Sequence, residues 1–201
     1  VSLAIVQPPQ LFGADAGPKI NIGLIGCGGR GQWIAELFRK HGGYNFVAVA
    51  DYFQDKVDSA GEKFGVPAQR RFTGLSGYRR LLEQKLDAVV IESPPYFHPE
   101  QAAAAVAAGK HVYLAKPVAV DVPGCLSIEA SGRKATASQL CFLVDFQART
   151  LPIFNDAVQQ IHKGELGQIG SVEATYQTGP GGTEGDKARR ADPQNAELRL
   201  R

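Results

Sequence analysis

Four glycines lie within six residues of the segment GLIGCGGRG: Gly26, Gly28, Gly29 and Gly31. Glycine at this density weakens any helix or strand, so the segment needs bare backbone for another purpose. The order Gly-x-Gly-x-x-Gly follows an apolar run and precedes an amphipathic one, the context in which it predicts a dinucleotide-binding loop. Gly26 would permit a tight turn, Gly28 would let backbone approach a pyrophosphate, and Gly31 would let helix and strand pack closely.

Asp51 ends the next apolar run, NFVAVA, and argues against an ordinary strand-to-helix turn. A carboxylate at that place accepts hydrogen bonds from the ribose of adenosine and repels a 2′-phosphate. The pattern therefore predicts NAD as the cofactor and disfavours NADP, although Arg30 offers a cation to a phosphate. The residues expected to contact the cofactor near this loop are Gly26, Cys27, Gly28, Gly29, Arg30, Gly31 and Asp51.

Two further segments carry polar side chains directly after apolar runs. In ESPPYFHPE, Ser93 and Pro94 are expected beside the nicotinamide end of the cofactor, and His98 either faces the site or caps a surface helix. In HVYLAKPVAVD, Lys116 follows the run HVYLA. A lysine at a strand end can hydrogen-bond a substrate hydroxyl and shuttle its proton, whereas the alternative is an ordinary surface lysine.

Alternating strands and helices are expected to position these residues. The predicted strands span 19–26, 45–50, 71–73, 87–92, 111–115 and 139–144. The predicted helices span 32–40, 52–64, 78–84 and 99–108, then one opened by Asp121 and Pro123, and one from Thr150 and Pro152 to His162. The first helix is expected to place Trp33, Ile34, Leu37 and Phe38 on one face. Strands that are apolar throughout predict a doubly wound α/β fold, with a parallel sheet that binds ligands at the carboxyl ends of its strands.

The composition excludes several classes of protein. Of the 201 residues, 44% are hydrophobic and 21% charged, and the net charge is +2, so neither a nucleic-acid surface nor a polybasic membrane patch is expected. No run approaches the ~18 apolar residues of a membrane span. The three cysteines, Cys27, Cys125 and Cys141, lie far apart, which predicts no disulfide and no metal site.

The sequence divides into three segments. Residues 1–17 form an N-terminal lead in which Ala14-Asp15-Ala16 fits a signal-peptidase site, so an exported, periplasmic location and a cytoplasmic one both stay open. Residues 18–150 are expected to form the dinucleotide-binding domain. Residues 151–201 are expected to hold a linking helix and the start of a second α/β domain, with an alternating strand over 169–178.

The combination of GCGGRG, VAD and DAVVIESPPYFHPEQAAAAVAAGKHVYLAKP resembles the glucose–fructose oxidoreductase/inositol 2-dehydrogenase (Gfo/Idh/MocA) family, from about Lys19 to Thr178. The resemblance implies a Rossmann domain followed by an α/β domain with a large open sheet. It also implies NAD(P)-dependent chemistry on a small-molecule sugar or polyol substrate, and a homo-oligomer when the protein is full length.

The resemblance also assigns roles to individual residues. It implies that Lys116 matches the catalytic lysine of the family's Glu-Lys-Pro motif, and that His98 matches a histidine near the nicotinamide. Ala115 stands where the motif has Glu, so a contact usually made to the cofactor or to the lysine is absent. The family's second acid/base pair is expected in the second domain. An NAD-dependent sugar or polyol dehydrogenase is therefore expected, with an NAD-dependent glycosidase of the same family or a non-catalytic NAD-binding protein as alternatives.

Overall fold

The computed structural model describes residues 18–175 and residue 194. The strands are β1 (Ile20–Ile25), β2 (Tyr44–Asp51), β3 (Arg71–Thr73), β4 (Ala88–Ile91), β5 (His111–Leu114) and β6 (Phe142–Val144). The α-helices are α1 (Gly29–His41), α2 (Gln54–Phe64), α3 (Gly77–Leu82), α4 (His98–Ala107), α5 (Val122–Ala137) and α6 (Pro152–His162). As predicted, Asp121 opens α5, where its carboxylate accepts the N–H of Gly124 at 2.7 Å.

The six strands form one sheet in the order β3-β2-β1-β4-β5-β6, and every neighbouring pair is parallel. This order confirms the predicted doubly wound fold, because the chain reverses direction across the sheet between β1 and β4. The register aligns the carboxyl ends: Ile25 pairs with Ala50 and Ile91, Ile91 with Leu114, and Leu114 with Val144. The loops that follow these strands therefore meet at one edge.

The sheet is buried on both faces, as its uninterrupted apolar strands predict. One face packs against α3, α4 and α5, and the other against α1 and α2. Apolar side chains that helices contribute to these two layers include Leu81, Ala102, Ala105, Ile128, Ile34, Ala35, Val57 and Ala60. Two dry layers of this kind supply most of the favourable free energy of folding and fix the carboxyl edge as a rigid platform.

The predicted apolar face of α1 is only partly buried. Trp33 and Leu37 are 49% and 45% exposed, whereas Gly31, Ile34 and Ala35 are buried. At about 3.6 residues per turn, Ile34 and Ala35 lie on the same side of the helix as Gly31, and Trp33 and Leu37 lie on the other side. Close backbone contact at Gly31 therefore sets the rotation of the helix, and it overrides the pattern of large apolar side chains.

The chain divides between Leu151 and Pro152 into two units. In the described part of the second unit, α6 is followed by residues 163–175, which form turns and irregular backbone. The predicted strand over 169–178 is wrong for residues 169–175: a strand needs a hydrogen-bonded neighbour, and the described part of this unit contains none.

Residues 176–178 and the predicted N-terminal lead lie outside the described residues. The assignment of residues 151–201 to a linking helix and the start of a second α/β domain stays a prediction. Within the part of the chain that the structure describes, no helix is long and apolar enough to cross a membrane.

Candidate functional site

The glycine-rich loop between β1 and α1 has backbone that side chains would disrupt. Gly26 has a φ of +92°, and a Cβ there would lie 2.4 Å from the backbone nitrogen of Ser93. A Cβ on Gly31 would lie 1.9 Å from the carbonyl oxygen of Gly26. These two positions therefore accept only glycine, the first for the turn and the second for helix–strand contact.

Gly28 differs from these two glycines because a Cβ there would meet nothing within 4 Å. It occupies the N-cap of α1 with an extended backbone, no side chain caps this helix, and its first turn holds no acidic residue. The first N–H groups of an uncapped helix, with the positive end of the helix dipole, suit an anion such as pyrophosphate. Bare backbone at Gly28 keeps that approach open, so the loop fits a dinucleotide.

Asp51 lies at the end of β2 and is fixed by two main-chain donors. Its Oδ2 accepts the N–H of Cys27 at 2.7 Å, and its Oδ1 accepts the N–H of Phe53 at 3.0 Å. Each carboxylate oxygen keeps a lone pair for a ligand hydroxyl. The hydrogen bond from Cys27 links the Asp51 carboxylate to the glycine-rich loop, so it fixes the distance between the expected ribose site and the expected pyrophosphate site.

Cys27 takes part in the loop through its main chain. Its side chain is fully buried and its Sγ lies 3.5 Å from the carbonyl oxygen of Ala50. Burial raises the pKa of its thiol far above the ordinary value, so the thiol stays protonated and unreactive. Cys125 and Cys141 are exposed, and neither they nor Cys27 form a disulfide.

Arg30 forms a cluster that the sequence did not predict. Its Nε lies 3.1 Å from Oε2 of Glu92, its Nη2 forms an ion pair with Oδ2 of Asp145, and its guanidinium packs 5.7 Å from the ring centre of Trp33. Glu92 follows β4 and Asp145 follows β6. Arg30 therefore bridges two carboxylates on one side of β1, whereas Asp51 follows β2 on the other side.

Glu92 is the most perturbed carboxylate in this cluster. Its side chain is fully buried, and neither of its oxygens receives a well-directed hydrogen bond from the described residues. Burial raises the pKa of Glu92 to about 7, Arg30 opposes that rise, and the charge of Asp145 adds to it. Tyr113, whose phenol forms a hydrogen bond with the Asp145 carboxylate, has a pKa raised mainly by burial. The only sequence signal for Glu92 was a charged residue directly after a wholly apolar strand.

His98 lies at the start of α4 and is fully buried. Its Nε2 is 2.7 Å from the carbonyl oxygen of Ser93, and its Nδ1 is 3.0 Å from that of Pro117. Burial lowers its pKa, which favours a neutral ring, and a neutral ring donates only one hydrogen bond. In this arrangement His98 connects the loop after β4 to the loop after β5; direct contact with a cofactor stays a prediction.

Ser93 and Lys116 occupy the two loops that His98 connects. The Ser93 hydroxyl donates to Oε1 of Gln101 at 2.6 Å, which holds this loop against α4, and Pro94 is exposed beside it. Lys116 is exposed directly after Ala115, which is buried at the end of β5, and precedes Pro117 through a cis peptide bond. Lys116 forms no ion pair with the described residues. The side chain is therefore available to a ligand at the carboxyl edge.

The structure brings most of the predicted site residues to one edge of the sheet. The glycine-rich loop, Asp51, Ser93, Pro94 and Lys116 all follow the carboxyl ends of strands, and His98 lies beneath them. Among the residues that the structure describes, no group of three or more His, Cys, Asp or Glu side chains is placed to hold a metal ion.

Residues 20–140 match the model of an oxidoreductase family with an NAD-binding Rossmann fold, GFO_IDH_MocA. The chain belongs to this family. The match covers more than half of the sequence, and it confirms both the resemblance drawn from the motifs and the choice of NAD as cofactor.

The chain is similar in sequence to proteins of two different names. The chain is 36% identical over 110 residues to inositol 2-dehydrogenase of Burkholderia ambifaria, which covers 54% of the chain and 32% of that protein. It is 29% identical over 163 residues to alpha-N-acetylgalactosaminidase of Shewanella oneidensis, which covers 78% of the chain and 35% of that protein. The chain spans about a third of the length of the curated relatives it matches.

A solved structure gives a third comparison. Scyllo-inositol dehydrogenase of Lactobacillus casei with bound NAD(H) and scyllo-inositol superimposes with a TM-score of 0.59 at 27% identity, over 74% of this chain and 42% of that one. This likeness agrees with the Rossmann fold described above.

Proposed function

We propose that the carboxyl edge of the sheet binds NAD in preference to NADP. The observation that carries this proposal is the anchoring of Asp51 by the N–H groups of Cys27 and Phe53, since a fixed carboxylate suits ribose hydroxyls and repels a 2′-phosphate. The Arg30 guanidinium supports it as well. Because Glu92 and Asp145 hold it on the other side of β1, it is not placed to compensate a 2′-phosphate near β2.

Calorimetric titration of the 201-residue chain with NAD and with NADP tests this preference. Asp51→Ala should weaken NAD binding by roughly tenfold or more and remove most of the preference, the scale expected for losing charged hydrogen bonds. Asp87→Ala is the matched control, because Asp87 also accepts a main-chain N–H, that of Asn21 at 2.7 Å, but at the amino edge of the sheet. Equal or tighter NADP binding by the unmodified chain would refute the proposal.

We further infer that the protein oxidises or reduces a sugar or polyol at a carbinol carbon. Bound NAD supplies the hydride acceptor in such a reaction. Lys116 is the residue of this chain that we assign to the substrate hydroxyl, because it is exposed at the carboxyl end of β5. In oxidation its neutral amine would accept the hydroxyl proton as hydride leaves the carbon, and in reduction its ammonium would donate that proton to the oxygen on which charge develops. Accumulation of NADH with a panel of inositols and sugars tests this reaction.

A glycosidase is the second candidate. It is supported by the similarity to alpha-N-acetylgalactosaminidase, which extends over more of the chain than the similarity to inositol 2-dehydrogenase does. Hydrolysis of a nitrophenyl N-acetyl-α-galactosaminide without accumulation of NADH would favour the glycosidase, whereas NADH accumulation would favour the dehydrogenase. NAD binding with neither reaction would favour a non-catalytic protein, the alternative that Ala115 first suggested.

A further inference from the structure

Glu92 is a buried carboxylate without adequate partners. Its side chain is 0% exposed, Arg30 is its one nearby cation among the described residues, and neither of its oxygens receives a well-directed hydrogen bond from them. Buried polar groups in native proteins are almost always hydrogen-bonded, and an unsatisfied buried carboxylate is costly. The two oxygens that lack a well-directed hydrogen bond therefore indicate a partner that binds at this place.

Glu92 lies next to the switch point of the sheet, between β1 and β4, where the path of the chain across the sheet reverses. Its N–H donates to the carbonyl oxygen of Ile25 at 2.7 Å, and a Cβ on Gly31 would lie 3.4 Å from its own Cβ. Glu92 thus lies under the glycine-rich loop on the β4 side, as Asp51 adjoins the loop on the β2 side. A dinucleotide with its pyrophosphate at the loop and its adenosine ribose at Asp51 must extend its second ribose toward β4 and β5.

The residue beside Glu92 on the next strand is small. Ile91 pairs with Leu114, so Glu92 and Ala115 lie side by side at the ends of β4 and β5. Ala115 adds only a methyl group next to Glu92, where a longer side chain would compete with a ligand for the carboxylate. Two carboxylate oxygens suit the two adjacent hydroxyls of a ribose, which is the chemistry already assigned to Asp51.

Arg30 lies against this carboxylate, with its Nε 3.1 Å from Oε2 of Glu92. Its side chain is 38% exposed, and it is the second residue of α1, beside the N–H groups that suit a pyrophosphate. A phosphate offers a guanidinium a paired set of acceptors at least as good as a carboxylate. Rotation of Arg30 toward the pyrophosphate would uncover Glu92 without moving the backbone.

We propose that Glu92 binds the hydroxyl groups of the cofactor's second ribose, the one that carries nicotinamide, after Arg30 turns from Glu92 toward the pyrophosphate. This inference rests on the proposed binding of NAD. It assigns to Glu92 a contact that no motif in the sequence marks, and it makes the residue a binding group for the half of the cofactor next to the substrate.

The affinities of three ligands distinguish the contributions of the two halves of the cofactor. ADP lacks the second ribose, ADP-ribose includes it, and NAD adds nicotinamide. Calorimetry of the same chain at about pH 8 should show that Glu92→Gln weakens ADP-ribose and NAD by roughly tenfold or more and leaves ADP within about twofold. Asp145→Asn is the matched control: it removes the other carboxylate that binds Arg30 but keeps Glu92, so the advantage of ADP-ribose over ADP should survive.

Equal weakening of all three ligands by Glu92→Gln would overturn the inference and would leave the cluster a purely structural tie. An unchanged ratio of ADP-ribose to ADP affinity in that variant would overturn it as well. In both cases the unmodified chain still binds NAD, so the proposed function stands. Failure of the unmodified chain to bind any of the three ligands would instead refute the proposed function, and this inference with it. Circular dichroism of each variant under the same conditions verifies that the comparison is made between folded chains.

Discussion

Glu92→Gln should change the pH dependence of folding stability more than any other single change at the site. Burial raises the pKa of Glu92 from an ordinary value near 4.5 to about 7, so the folded chain holds a proton that the unfolded chain has already released. A raised pKa contributes stability that is fully present below pH 4.5 and is lost as the pH rises through 7. A glutamine side chain carries no charge at any pH, so the Glu92→Gln variant escapes this loss.

The magnitude follows from the two pKa values. A gap of about 2.5 between them corresponds to about 3 kcal/mol of unfolding free energy, lost at about 1.4 kcal/mol for each pH unit inside the window. Between pH 5 and pH 8 the stability of the Gln variant relative to the unmodified chain should therefore rise by about 2 to 3 kcal/mol. The groups that face Glu92 are the guanidinium of Arg30, the carboxylate of Asp145 and the phenol of Tyr113, and all three stay in place in this comparison.

Urea unfolding at pH 5 and pH 8, followed by circular dichroism, measures this difference directly. Glu100→Gln is the control, since hydrogen bonds from Tyr78 and Arg79 lower the pKa of Glu100, and its contribution is already present at both pH values. The control should lower stability equally at pH 5 and pH 8. If the Glu92 variant also shows the same difference at both, then Arg30 suffices to keep Glu92 ionised, and the argument from burial is wrong.

Three further changes probe the loops around the site. Gly31→Ala should lower stability by about 2 kcal/mol or more in urea unfolding, because its Cβ would lie 1.9 Å from a carbonyl oxygen. Gly28→Ala meets no atom within 4 Å, so it should keep stability within about 1 kcal/mol and still weaken NAD binding in calorimetry. His98→Phe should destabilise the chain by about 1 to 3 kcal/mol, since the buried imidazole's hydrogen bond to one of two main-chain carbonyl oxygens is lost, and the urea midpoint reports it. Lys116→Ala should lower the turnover of the complete gene product by roughly a hundredfold or more with little change in NAD affinity, and turnover that survives within a few-fold would make Lys116 an ordinary surface lysine.

Local patterns were sufficient to predict the sheet and the glycine-rich loop. The central strands are largely apolar, a property typical of a parallel sheet buried on both faces, and that sheet aligns Asp51 with the loop after β1. The pattern of α1 was insufficient, because Trp33 and Leu37 suggested a face that the backbone contact at Gly31 does not allow. The alternation over 169–178 was likewise insufficient, since it describes a strand only where a neighbouring strand exists.

The Arg30 cluster could not be predicted because its members come together only in the folded sheet. Arg30 and Asp145 are 115 residues apart in the sequence, and their contact depends on the register of β4, β5 and β6. His98 illustrates a second limit. The sequence indicated a polar residue near the site, but its burial depends on the approach of two loops, which no local pattern encodes.

The two acidic residues of the site are fixed by different partners, and this difference predicts which end of the cofactor binds first. On the β2 side, Asp51 is fixed by two main-chain N–H groups, so its geometry is complete before any ligand arrives. On the β4 side, Glu92 is held by a half-exposed arginine and keeps two unused acceptors. Because a preformed half costs less to bind than a half that must rearrange, the adenosine end should dock first. Arg30 then rearranges in a second step, in the half of the site nearest Lys116, where the substrate is expected.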